Sequence, residues 1–124
     1  MKRIFVALLI TLLSITSCQK YNLSKGLYFA DTKDGIIYLE LMGGTDCVMY
    51  FQGGNEKEDG YYDISRGEIE LHAHAETKVS GGTASWWFGG TLGTGTISGD
   101  KFTIKAQRLY STRLEYHYIT FYKH

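Results

Sequence analysis

The chain has 124 residues, and its 13 Lys and Arg residues balance 13 Asp and Glu residues, so its formal net charge is zero. Without a basic excess, nucleic acid is not an expected partner. Fifteen Gly, no Pro and 18 aromatic residues, ten of them Tyr, are typical of short strands joined by tight turns and argue against a helical protein.

Residues 1–17 have the charge and length of a secretory signal peptide. Lys2 and Arg3 precede a largely apolar run, Ile4 to Ile15, and small residues follow it. The run is too short to span a bilayer, which takes about 20 apolar residues. Its removal would leave a single domain of 107 residues whose 11 cationic and 13 acidic side chains give a net charge near −2.

The end of this segment, Ile15-Thr16-Ser17-Cys18, resembles the lipobox of bacterial lipoproteins. The resemblance implies cleavage before Cys18, a diacylglyceryl thioether on its sulfur and acylation of its new amino group. Several acyl chains together anchor a protein durably in a membrane. In lipoproteins of this kind an Asp after the Cys is typical of inner-membrane retention, so the resemblance implies, with Gln19 at that position, the outer membrane. The sequence does not distinguish the periplasmic face of that membrane from the cell surface.

Residues 18–25 are then the lipidated Cys and a short tether, and residues 26–124 are the folded domain. The seven tether residues after Cys18 reach about 23 Å when fully extended. In the domain, Ile37, Leu39 and Leu41 alternate with outward positions, which is the period of a strand with one buried face. Asp34-Gly35 is a hairpin signal.

About eight such strands are expected, with loops at residues 56–59 and 76–83. The sequence predicts an all-β domain, a single antiparallel meander closed into a barrel or into a flattened barrel or sandwich, because closure removes exposed sheet edges. Two segments at an offset of 33 residues repeat one hairpin type, with Ile69 and Leu71 matching Phe102 and Ile104 as inward residues.

Four turn-linked motifs follow one another along the domain: Gly26-x-Tyr28, Gly60-x-Tyr62-x-Ile64, Gly95-Thr96-Ile97-Ser98-Gly99-Asp100-Lys101-Phe102 and Tyr118-Ile119-Thr120-Phe121. Their order resembles that of the small lipocalin-like, calycin-type lipoproteins common in Bacteroidetes. The resemblance implies a lipocalin-like barrel anchored to the membrane. Tyr28 stands where true lipocalins carry the Trp of their Gly-x-Trp motif.

Four aromatic residues are the candidate ligand-binding residues: Trp86, Trp87, Tyr62 and Tyr118. Adjacent tryptophans are a possible stacking platform for a sugar ring or another flat ligand. In the alternative interpretation Trp86 packs inward and Trp87 covers the barrel end. The tyrosines of the predicted strands are expected to fill the barrel interior; exposed, they would instead mark a partner surface.

His72 and His74 lie on the same face of a predicted strand, about 7 Å apart, which permits shared metal ligation if a third ligand is available. Glu70, Glu76 or His117 would supply it. The competing interpretation is an ordinary polar face in contact with water, because Glu and His alternate there.

Lipidation of Cys18 leaves Cys47 as a lone thiol, so the disulfide suggested by two cysteines in an exported chain is not expected. In a predicted strand, such a Cys usually behaves as a small buried apolar residue. The chain has no nucleophile elbow, no zinc-protease motif and no glycine-rich phosphate loop that leads into a helix. Neither an enzymatic activity nor a cofactor is predicted.

These features predict an outer-membrane lipoprotein that acts as a non-enzymatic binding module. Its expected partners are the membrane, through lipid on Cys18, and either a small apolar or aromatic-stacking ligand or an envelope protein. One alternative is a structural or accessory envelope protein in a larger complex. The other is a metal-binding protein that uses His72 and His74.

Overall fold

A computed structural model describes residues 23–54, 56–73, 77–81 and 84–124, with backbone alone at residues 73 and 77–81. The predicted signal peptide and Cys18 lie outside these residues. The described part of the chain contains no helix long and apolar enough to cross a membrane. It forms ten strands: β1 (Gly26–Thr32), β2 (Gly35–Leu41), β3 (Asp46–Phe51), β4 (Glu58–Ser65), β5 (Glu68–Ala73), β6 (Thr77–Gly81), β7 (Ala84–Phe88), β8 (Thr94–Ser98), β9 (Lys101–Tyr110) and β10 (Arg113–Lys123).

Eight of these strands close into an antiparallel barrel. Strands β1 to β5 pair in sequence order, β5 pairs with β8, β8 with β9, β9 with β10, and β10 returns to β1. The ladder that closes the ring is short, since it joins only Tyr28 to Lys123 and Phe29 to Tyr122. The predicted all-β, closed antiparallel architecture is confirmed.

The alternating apolar residues of the strands are buried on the inner side of the barrel. Ile37, Leu39 and Leu41 are buried, as predicted, and so are the matched inward residues of the repeated hairpin. Alternation places every second side chain of a strand on the same face of the sheet. The buried residues form one contiguous cluster: Tyr28, Ala30, Ile37, Leu39, Leu41, Cys47, Met49, Phe51, Tyr62, Ile69, Leu71, Trp86, Phe88, Ile97, Phe102, Ile104, Ala106, Ile119 and Phe121.

The hairpin of β6 and β7 lies outside this ring and crosses one of its ends. Strand β7 pairs with the second half of β9, while β6 approaches β3 and β4 on the far side of the barrel. The prediction of a loop over residues 76–83 is therefore wrong where β6 forms. Residues 77–81 become a strand because β7 offers them hydrogen-bonding partners along its free edge, which no local pattern reveals. Similarly, Glu58 and Asp59 belong to β4 and not to a loop.

The expectation that the strand tyrosines fill the interior is also wrong for six of them. They alternate with buried residues and therefore lie on the outer surface, whereas the interior tyrosines are Tyr28 and Tyr62. The inward positions are already occupied by aliphatic and phenylalanine side chains. The six outward tyrosines are Tyr38, Tyr50, Tyr61, Tyr116, Tyr118 and Tyr122.

Cys47 is a free thiol in the core, as predicted. Burial, reinforced by the nearby carboxylates of Asp46 and Asp59, raises the pKa of this thiol to about 11. A thiol with so high a pKa stays protonated at neutral pH and is a poor nucleophile. Cys47 therefore contributes to packing.

Candidate functional site

A buried ion pair joins the turn between β1 and β2 to strand β9. The guanidinium of Arg108 donates two hydrogen bonds to the carboxylate of Asp34, from Nε to Oδ2 at 2.7 Å and from Nη2 to Oδ1 at 2.9 Å. Both side chains are more than nine-tenths buried. This two-pronged geometry is the strongest form of the Arg–carboxylate contact, and it fixes two segments that are 74 residues apart.

Aromatic and polar side chains extend this pair into a network. The indole Nε1 of Trp86 donates to Oδ2 of Asp34 at 2.7 Å, and Arg108 Nη1 donates to Oε2 of Glu115 at 3.3 Å. The imidazole of His117 lies 2.9 Å from the same oxygen of Glu115 and packs against the ring of Trp86. Within the described residues, no buried side-chain polar atom of the structure lacks a partner.

The network holds its carboxylates in the charged form. Hydrogen bonds from Arg108, assisted by Trp86 and opposed by burial, lower the pKa of Asp34 below its ordinary value. The hydrogen bond with His117, opposed by burial and assisted by Lys33 and Arg108, lowers the pKa of Glu115. Neither carboxyl group is therefore held as a neutral proton donor near pH 7.

A groove opens beside the network, where β1 and β10 separate above their short ladder. Its volume is about 420 Å³. Trp86 and His117 bring the network to its wall, and the exposed ring of Tyr118 stands at its rim. The groove thus combines charged, hydroxyl-bearing and aromatic groups, and its lining residues are Asp31, Thr32, Lys33, Trp86, His117, Tyr118, Ile119, Thr120 and Tyr122.

The groove brings together two of the four candidate ligand-binding residues, Trp86 and Tyr118. Trp86 is also a core residue, as the alternative interpretation expected, and only 2% of its surface is exposed where it borders the groove. Tyr62 is buried, and its hydroxyl donates to the carbonyl of Met42 at 3.4 Å, away from the groove. Trp87 lies on the outer side of β7, in a separate depression of about 270 Å³.

Sequence reasoning missed Asp34, Arg108 and Glu115 as site residues. One signal was available, because Arg108 continues the inward phase of Phe102, Ile104 and Ala106 along β9. A charged residue in an apolar phase requires a partner of opposite charge if it is buried. The identity of that partner depends on tertiary contacts and was not accessible from spacing.

The proposed metal site stays a prediction, because His74 lies outside the described residues. The imidazole of His72 stacks on the ring of Tyr61 with 4.5 Å between centroids. Its Nε2 atom lies 3.6 Å from Asp63 and 3.5 Å from Glu70. In the part of the chain that is described, no three His, Cys, Asp or Glu residues are grouped for metal binding.

Comparisons of the chain with models of protein families, with curated proteins and with solved structures found no match. The residues that carry a functional inference are therefore those of the groove and of the network beside it. Pockets that join apolar walls with a few convergent polar groups are the usual places for ligands in proteins.

The substitution Asp34→Asn tests the network through the pH dependence of stability. A carboxyl with a lowered folded-state pKa stabilises the fold above its unfolded pKa, near 3.8 for Asp, and this contribution disappears as pH falls through the folded pKa. At about pH 6 the variant should unfold with a free energy lower by about 2 kcal/mol, the size of a hydrogen bond to a charged group. Urea unfolding of both proteins should show this difference shrinking below about pH 4.

The matched control is Asp31→Asn, which alters an exposed carboxylate at the groove wall. It should change stability much less, because exposed charges are screened by water. An Asp34→Asn difference that is absent, or that does not vary with pH, would contradict the stabilising role of the charged pair.

Proposed function

We propose that the chain is an outer-membrane lipoprotein whose barrel binds a small ring-shaped, hydroxyl-rich ligand, such as a sugar unit, without catalysis. The observation that carries the ligand proposal is the groove between β1 and β10, where Tyr118 and Trp86 meet polar side chains. The lipobox residues before Cys18 carry the proposal of an anchor.

The location of the groove supports an external site over an internal one. Large side chains such as Trp86, Tyr28 and Phe102 are fully buried inside the barrel and fill the part of the interior that they line. A ligand that enters the outer groove does not have to displace this core. Well-packed interiors resist such displacement, because lost contacts cost free energy.

The chemistry of the groove fits a ring with both apolar faces and hydroxyl edges. Tyr118 is 76% exposed, and its ring offers a flat apolar surface to a ligand. Lys33 and Asp31 on the opposite wall, with Thr120, supply donors and acceptors for hydroxyl groups. Such convergent polar groups give orientation and specificity.

The electrostatics support binding without catalysis. A general acid at neutral pH requires a carboxyl whose pKa is raised toward 7. The two carboxyls of the network beside the groove have pKa values shifted the other way, because Arg108 and His117 donate to Asp34 and Glu115. Charged carboxylates in this arrangement stabilise the wall of the groove and are not suited to act as general acids at neutral pH.

Saccharide titration followed by NMR chemical shifts tests the ligand proposal. Residues around the groove should shift, and Tyr118→Ala should weaken the affinity about two- to tenfold, the range expected for one aromatic stacking contact. Tyr116→Ala is the matched control, because Tyr116 is also an exposed tyrosine of β10 but does not line the groove. Absence of saccharide binding, or equal weakening by both substitutions, would contradict the proposal.

Membrane fractionation tests the anchor. The Cys18→Ala chain should be found in the soluble fraction while keeping its fold, since it lacks the acyl chains. Cys47→Ala should stay with the membranes, because Cys47 is a buried thiol of the barrel. Retention of the Cys18→Ala chain in the membrane fraction would show that another feature holds it there.

A further inference from the structure

The outer surface of β9 and β10 concentrates the exposed apolar and aromatic side chains. This β9–β10 face comprises the odd-numbered residues 101–109 of β9 and the even-numbered residues 114–122 of β10. Of eight exposed large apolar or aromatic side chains among the described residues, five belong to this face. Exposed patches of this kind mark interaction surfaces.

The β9–β10 face is also cationic. Its ten residues include two lysines and no acidic residue. The amine of Lys105 lies 5.0 Å from the ring centroid of Tyr116, and that of Lys101 lies 5.9 Å from that of Tyr122. Aromatic rings and cations are thus interleaved over the surface.

Charge is distributed asymmetrically around the barrel. Residues 101–123 carry four cationic side chains besides the buried Arg108 and one acidic side chain, whereas residues 46–73 carry seven acidic and two cationic side chains. The ring order places β3 and β4 opposite β9 and β10. Near an anionic surface, this charge distribution orients the barrel with the β9–β10 face toward the surface and the acidic side away from it.

The chain that precedes the barrel leaves it beside the end of β10. The amine of Lys123 donates to the carbonyl of Lys25, and the hydroxyl of Tyr28 donates to the carbonyl of Ser24 at 2.7 Å. A tether of seven residues, which spans about 23 Å at most, therefore meets the barrel at the end of β10, one of the two strands of this face. A barrel held so close meets its membrane at a high effective concentration, so weak contacts suffice for docking.

We propose that the β9–β10 face docks on the anionic phospholipid surface of the membrane that holds the proposed anchor. Tyrosine rings favour the boundary between headgroups and acyl chains, because they join an apolar body to a polar hydroxyl. Lysines beside them attract anionic headgroups. The inference rests on the proposed anchor for its location but not on the ligand of the groove.

Docking also affects the groove. Tyr118 and Tyr122 belong to both the face and the groove lining, so a docked barrel opens its groove at the level of the headgroups. Substitutions that test the face are therefore best made at other residues. Lys105 is suitable, because it lies on the face and does not line the groove.

Tryptophan quenching by brominated lipids tests the proposal. The lipid-modified full chain is reconstituted into vesicles of phosphatidylethanolamine and brominated phosphatidylglycerol. Trp87 is the reporter, since it lies beside Leu109 and Leu114 on the outer side, whereas Trp86 is buried. Docking predicts strong quenching that is lost in Trp87→Phe and is reduced by high salt, because salt screens the lysines.

Two single substitutions provide the matched comparison. Lys105→Gln should lower the ratio of docked to undocked barrel about fivefold, the expected effect of one cation near an anionic surface. Lys57→Gln should leave quenching unchanged. Lys57 also lies over a tyrosine, with 4.9 Å to the centroid of Tyr50, but on the far side of the barrel.

Each failure has its own signature. Chains that float with the vesicles but show no quenching would retain the anchor and overturn the docking proposal, as would quenching that is equal in neutral phosphatidylcholine vesicles. A further outcome is that chains float without quenching and crosslink to one another through Lys105. This outcome would show that the face binds a second copy of the chain, and it would also overturn the docking proposal. Chains that do not float would contradict both the anchor and the docking.

Discussion

The ion pair between Asp34 and Arg108 is the contact on which the arrangement of the groove depends. The ladder between β1 and β10 ends at Phe29, so it does not hold the turn after β1. The ladder with β2 closes this turn, and the carboxylate of Asp34 ties it to the rest of the barrel by accepting hydrogen bonds from Arg108 of β9 and from Trp86. Breaking a buried pair of this kind costs free energy, because removal of either partner leaves the other charge buried and uncompensated. The Asp34–Arg108 ion pair therefore fixes the position of the turn beside the gap between β1 and β10.

Strand β10 contributes to the core, to the β9–β10 face and to the groove. Its inward residues Ile119 and Phe121 close the core, while its outward tyrosines form the β9–β10 face. One edge of the strand borders the groove, and its end meets the segment that leads to the proposed anchor. The groove, the cationic aromatic surface and the tether therefore lie on one side of the barrel. The acidic side has no comparable concentration of exposed aromatic residues within the described part of the chain.

Alternation predicts the barrel well, because burial on one face imposes a period of two on each strand. Ile37, Leu39 and Leu41 show this, and the closed architecture follows from many such strands. Strand β6 was missed because its formation depends on pairing with β7, and its own residues carry no clear period. The ion pair was missed for a similar reason, since the sequence does not show which acidic residue meets Arg108. Trp86 and Tyr118 were identified from their type, but their common location required the fold.

A double-mutant cycle tests the central contact most directly. Asp34→Asn, Arg108→Gln and the double variant are compared by urea unfolding at neutral pH. If the pair frames the groove as described, each single substitution destabilises the fold, and the double variant is clearly more stable than the sum of the two effects implies. Strictly additive effects would show that the two side chains do not interact energetically, and would contradict this account.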